Sequence, residues 1–304
     1  MKKNSIDRKG QSDTINHRQC VLPIRGEEDQ VSGNIHQTVA PLSATISAVL
    51  EVWRRRQGWH RAEKSLTLQC QAFCRRLCAG DKAEGKALFK AIESKKEHPL
   101  AIPAMMSVAP LLTGREPIEN ERLEAEKQLR KMAVNLPGYQ FCMKTVGLSE
   151  FTIYALTGSC PGVNLRGFLD FDTYSRVFKR LGLGVMDDGT RQRRVAGEKG
   201  MRHAYSPERR SVVWTIGDSI IKGKGPYRKM YDDFKLVEQQ AAEGKGLTIL
   251  PAARITDKMK ESGKYISEGH IHNRAKRKME KAVVRDVWAA ARAEAREWEM
   301  AEAA

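Results

Sequence analysis

Lys144-Thr145-Val146-Gly147-Leu148-Ser149 separates two segments with helical apolar spacing, Tyr139 to Val146 and Ser149 to Leu156. That order predicts a helical hairpin. A hairpin that grips a phosphate needs a tight link, with backbone N–H groups facing outward where the second helix begins. Those amides and the helix dipole then hold the anion. Gly147 tolerates the positive φ of such a link. Ser149 is small and suits a helix cap, and Lys144 offers a further phosphate contact. Taken alone, the same residues better suit a plain glycine turn between two core helices, so the flanking sequence has to separate the two readings.

Downstream, Phe171 to Leu181 has the pattern of a short helix capped by Asp170 or Asp172 and ending in the basic pair Lys179 and Arg180. A loop rich in arginine and glycine follows. Arg191, Arg193, Arg194, Lys199, Arg202, Arg209 and Arg210 are interleaved with Gly189, Gly197 and Gly200. Guanidinium groups on such a backbone suit phosphate or folded RNA, and Tyr205, beside His203, suits stacking on a base. A solvated loop explains the same composition. Ser211 to Ile221 fits a helix or a buried strand and is read as a helix; Tyr227 to Ala242 is helical by pattern. His270 to Ala304 carries the strongest helical pattern. Ile271, Ala275, Met279, Ala282, Val283 and Val287 line one face, and Arg274, Lys276, Arg277, Lys278, Lys281 and Arg285 the other.

Upstream, residues 1–38 are polar and poor in large apolar groups, which predicts a disordered tail. Residues 39–98 read as a helical pair. Ile46, Val49, Leu50 and Trp53 mark the first helix, Arg54 to Arg56 and Gly58 its bend, and Leu66, Cys70, Phe73, Cys74 and Leu77 the second. Such stripes should pair with each other, with the rest of the chain or with a second copy, so this region is a candidate for homodimerisation. A short helix over Ala87 to Ile92 precedes the His98-Pro99 break. Ile102 to Leu112 is a compact apolar segment, and Glu119 to Met132 a charged helix stopped by Leu136-Pro137-Gly138. The expected architecture is mainly α: the helical pair, a hairpin-containing helical domain over 99–243, then a linker and long basic helix over 244–304.

The 304-residue chain has a formal net charge of +16, which points to an anionic partner and first to nucleic acid. No apolar run is long enough to span a bilayer, and no apolar signal core follows Met1-Lys2-Lys3, so no membrane is expected and the cytoplasm is the expected compartment. Cys70, Cys74 and Cys78 share a helix face. They read as small packed residues rather than a metal cluster, since no Cys-x-x-Cys pair accompanies them. Asp170, Asp172, Asp187 and Asp188 suit Mg²⁺, but also caps and turns, and the latter reading is preferred. His270 and His272 make a weak ligand pair, and Ser206 and Ser211 beside Arg209 and Arg210 make a weak case for a nucleophile. Neither a metal nor a cofactor is expected.

Taken in order, Lys144 to Ser149, Phe171 to Gly184 with Lys179-Arg180-Leu181-Gly182-Leu183-Gly184, the arginine loop, and Arg209-Arg210-Ser211-Val212-Val213-Trp214 carry a resemblance. Together they resemble the C-terminal domain of the insertion-sequence one-ten (DEDD) transposases, the bridge-RNA-guided recombinases. The resemblance covers roughly residues 120–240. The helical pair at 42–80 is similar to the coiled coil that precedes this domain in the family. It implies DNA binding, with structured RNA as a further partner, and a place in DNA transposition or recombination. Two departures bear on chemistry. The family begins with a RuvC-like domain bearing four acidic catalytic residues, and residues 1–41 are too short for one. Where the family places a nucleophilic serine, this chain reads Met186-Asp187-Asp188-Gly189-Thr190-Arg191. The expectation is therefore a nucleic-acid grip, through Lys144, Gly147, Ser149, Lys179, Arg180, Arg191, Arg193, Arg194, Arg202, Arg209 and Arg210, without a complete active site. The alternatives are a strand-transfer enzyme completed by a RuvC-like partner in trans, and a basic scaffold for an acidic protein.

Overall fold

The computed structural model describes residues 41–186, 190–192 and 205–303, so the predicted tail over 1–38 lies outside the described residues. The fold is mainly α-helical. Its first helix, α1 (Leu42–Leu77), is continuous through Gly58. A single exposed glycine costs a helix about 1 kcal/mol. Packing along the whole of α1 outweighs that cost. Its partner is α3 (Ala101–Ala133), which joins the apolar segment and the charged helix into one element.

The two helices run antiparallel. Arg56 meets Glu126 at 2.6 Å, Glu63 meets Arg122 at 2.6 Å, and Cys70 and Cys74 share a cluster with Ala104 and Val108. Pro110 and Pro117 lie on the exposed face of α3, where water can satisfy the carbonyls they strand. The helical pair is thus made between α1 and α3, and the stripe of α1 is covered within the chain.

Between them, α2 (Lys82–Glu93) starts at Asp81, whose side chain accepts from the Glu84 N–H at 2.8 Å. It closes a distal cluster of Leu88, Phe89 and Ile92 over Cys70, Cys74 and Cys78. The cysteines are therefore packing residues, and burial raises the pKa of Cys70 and Cys74.

The hairpin is present as α4 (Tyr139–Lys144) and α5 (Glu150–Ser159). Thr152 to Ser159 of α5 are all buried, so this helix is the centre of the main core, between Trp53 of α1 and the helices that follow. A single 3-10 turn at Gly167–Asp170 leads to α6 (Tyr174–Arg180). Thr173, not Asp170 or Asp172, is the residue preceding α6. Asp170 instead accepts from the Asn164 N–H at 2.7 Å, and Asp172 pairs with Arg176 at 2.7 Å.

The rest is α7 (Pro207–Gly223), α8 (Pro226–Glu243), α9 (Asp257–Glu261) and α10 (Glu268–Ala303). The stretch read as a linker holds a small parallel sheet, β1 (Thr248–Leu250) on β2 (Tyr265–Ser267), with Ile249 opposite Ile266. The long α10 packs on α8, α7 and α6 through Ala275, Met279, Val283 and Val287, the predicted stripe.

Candidate nucleic-acid interface

Ser206 caps α7, its Oγ accepting from the Arg209 N–H at 3.4 Å, and Pro207 occupies the first helical position. From there α7 presents Arg210 and Trp214, one turn apart. Opposite, α10 presents Asn273 and Arg277 at the same spacing. A third wall comes from the loop after α6. Val185 and Arg191 form an antiparallel bridge, closed by the Met186 N–H on the Thr190 carbonyl at 2.8 Å. Buried Gln192 clamps that loop: its N–H donates to the Gly184 carbonyl at 3.0 Å and its Nε2 to the Lys179 carbonyl at 3.0 Å. Tyr205 packs over Gly182, whose φ of +74° and missing Cβ leave room for the ring. Together Arg191, Gln192, Tyr205, Arg210, Trp214, Asn273 and Arg277 line a cleft of about 240 Å³.

Beneath the cleft lies a buried ion cluster. Arg210 Nη2 is 2.7 Å from a carboxylate oxygen of Glu280, whose side chain is fully buried. Lys276, also fully buried, pairs with Asp218, and its Nζ sits 3.4 Å from the centroid of the Trp214 ring. Arg277 donates to the Gly182 carbonyl at 2.9 Å. Gly217 makes the room, since a Cβ there would stand 2.7 Å from Lys276 Cε and 2.8 Å from Glu280 Oε1. The sequence pattern puts Lys276 on the solvated face of α10; it lies in the core instead. The signal in the sequence is Glu280, the one acid between Arg274 and Lys281.

The electrostatics follow from burial. Desolvation raises the pKa of Glu280, opposed by Arg210 and Lys276. Desolvation lowers that of Lys276 despite its bond to Asp218. Arg277 is lowered by burial and then by its like-charged neighbour Arg210, with Arg191 adding to the repulsion. Four cations, Arg191, Arg210, Lys276 and Arg277, thus face two carboxylates, Asp218 and Glu280, and within the cluster Arg210 Nη1 and both Glu280 carboxylate oxygens are buried without a hydrogen bond of good geometry.

The structure brings only some of the expected residues together here. Arg191 and Arg210 line the cleft. Arg209 turns elsewhere, where burial and neighbouring Arg180 lower its pKa. Lys179 is exposed and contributes its carbonyl to the Gln192 clamp. The Gly147 turn lies at the other end of α7. Its φ is +93°, and a Cβ would meet Ile220 Cα at 2.9 Å, so glycine permits close approach of the turn to that helix. Ten residues separate Ile220 from Arg210, about 15 Å of helix. Ser149 precedes α5, its N–H donating to Thr152 Oγ1 at 3.4 Å, and Lys144 is exposed. Arg193, Arg194, Arg202, Asp187 and Asp188 lie outside the described residues.

Sequence reasoning does not single out Asn273, Trp214, Arg277 or Lys276 as site residues. Another groove, of about 300 Å³, runs along a different face of α7 beside Arg56, His60, Arg61 and Lys64 of α1, spanned by the Arg61–Glu208 pair at 2.9 Å. His272 is held by the Tyr231 hydroxyl at 2.6 Å, and among the described residues no group of His, Cys, Asp and Glu is arranged to hold a metal. Among the same residues no helix is long and apolar enough to cross a membrane. Comparison with known proteins returned no matching family model, curated protein or solved structure.

Proposed function

We propose that this chain binds nucleic acid through the cleft between α7 and α10, as a transposase-like protein acting in DNA transposition or recombination. The observation that carries the binding reading is the excess of cations in one partly desolvated cleft. Arg210 and Arg191 both repel Arg277 there, and a phosphate placed among them relieves that repulsion. The formal charge of +16 adds long-range attraction for a polyanion. The transposition reading rests on the order of hairpin, basic helix end, arginine loop and Arg209–Trp214 segment in the sequence. Titration of nuclease-treated protein with a labelled DNA duplex and a folded RNA tests the proposal. Binding that weakens steeply with salt is expected. Absence of binding to either probe, or affinity independent of salt, overturns it; a partner captured only after nuclease treatment would place the basic surface against an acidic protein instead.

A further inference from the structure

The cleft holds more than a phosphate requires. Three arginines are enough to bind an anion, yet a phenol, an indole and a carboxamide also line the same space. None of these polar ends is occupied: among the described residues, nothing hydrogen-bonds the Asn273 amide, the Tyr205 hydroxyl or the Trp214 indole N–H. Arg210 Nη1 is likewise buried without a partner. The Trp214 ring is held by Lys276 on one face, with Arg210 and His272 also against it, while Tyr205 keeps a ring beside the arginines. The room, about 240 Å³, is on the scale of one nucleotide and far short of a duplex, whose wider groove alone spans about 12 Å.

Resting on the nucleic-acid reading above, we infer that the cleft receives a single unpaired nucleotide, extruded from a duplex or presented by a single strand. Arg210 and Arg277 take its phosphate, and Arg191 closes over it. Tyr205 stacks on the base. The Asn273 amide offers one donor and one acceptor to the base edge, which is free only when the base is unpaired. Lys276 and Glu280 do not touch the nucleotide; they hold Trp214 and Arg210 in place from below.

The test compares a fully paired hairpin probe with the same hairpin carrying one bulged 2-aminopurine, each as DNA and as RNA. In at least one of the two chemistries the bulged probe binds about tenfold more tightly, as stacking of one base on an aromatic side chain predicts. Its fluorescence falls on binding. Asn273→Ala, at an exposed position, weakens the bulged probe more than the paired probe and so removes most of that preference. Tyr205→Leu removes the fluorescence change. Equal affinity for bulged and paired probes in both DNA and RNA, or an Asn273→Ala effect of the same size on both, overturns this inference and leaves the binding proposal standing. Failure to bind any probe overturns both.

Discussion

Neutralising Arg191 or Arg277 changes the salt dependence of binding before anything else. Arg191 is exposed, and its loop is fixed by backbone hydrogen bonds and by Gln192, so Arg191→Gln removes a charge without removing a support. Arg277 is half-buried and bonded to the Gly182 carbonyl, so its charge acts through a lower dielectric. A unit charge about 4 Å from a phosphate is worth roughly 1 kcal/mol in water and up to about 4 kcal/mol near a protein surface. Arg191→Gln belongs near the lower figure, a five- to tenfold loss, and Arg277→Gln above it. Each neutralised phosphate contributes about 0.9 to the slope of log affinity against log salt on duplex DNA, or about 0.7 on a single strand. Each substitution therefore lowers the slope by about that amount, and Arg→Lys at either position restores it. The assay is fluorescence anisotropy of a labelled duplex between about 50 and 200 mM salt. Lys86→Gln, on an exposed face of α2, is the control and keeps the parent slope. If both glutamine variants melt like the parent and also keep its slope, the cleft does not hold the phosphate.

Further outcomes concern the scaffold. Gly58 and Gly114 sit in exposed helix, and a Cβ added at either would meet nothing within 4 Å, so Gly58→Ala and Gly114→Ala each stabilise by about 1 kcal/mol. At Gly158 the same methyl group overlaps the Trp53 ring, so Gly158→Ala destabilises by at least about 1–3 kcal/mol. Urea titrations that give all three the same sign would refute the packing described. For Glu280, burial holds the pKa above its ordinary 4.5. Between those two values the native state binds a proton that the unfolded chain lacks. Stability from this group is therefore full below the ordinary value and declines as pH rises through the native one. The melting temperature of Glu280→Gln relative to the parent should rise with pH above about 4.5; a difference that stays flat from acid to neutral pH would show that Glu280 is not held up by burial.

Local pattern carries most of the fold. The hairpin, α7, α8 and the stripe of α10 are legible because their apolar residues recur at helical spacing and their ends carry glycine, proline or a cap. The long helices are harder to read. Gly58 with three arginines before it looks like a break, and Pro110 and Pro117 look like helix stops. Each is tolerated because its side faces water while α1 and α3 pack along their length. The strands over Thr248–Leu250 and Tyr265–Ser267 are too short to show any period. In the site, Arg191 and Arg210 stand out because arginine clusters are visible in composition. Lys276 escapes a reading by pattern because lysine is almost never fully buried unless paired. Its partner, Asp218, is 58 residues away, and the space for both is set by Gly217. Such long-range pairing leaves no periodic trace.

That buried cluster also bears on why the cleft exists. Replacing a buried ion pair with apolar residues of similar volume is often neutral or stabilising, so the pair is a weak device for stability. The ion pairs along α1 and α3 do not face this objection. Arg56, Glu126, Arg122 and Glu63 keep between 15% and 19% of their side-chain surface in water and serve to fix register between two helices. Lys276 and Glu280 are fully buried, and Glu280 is held against its ordinary ionisation. A core built for stability would put leucine or methionine at these positions. Here they sit directly under Arg210 and Trp214, and each fixes one of them: Glu280 aligns the guanidinium and Lys276 covers one face of the ring. Their cost in desolvation is repaid only if the placement of those two side chains matters, and what Arg210 and Trp214 have in common is the cleft they line with Arg191 and Arg277.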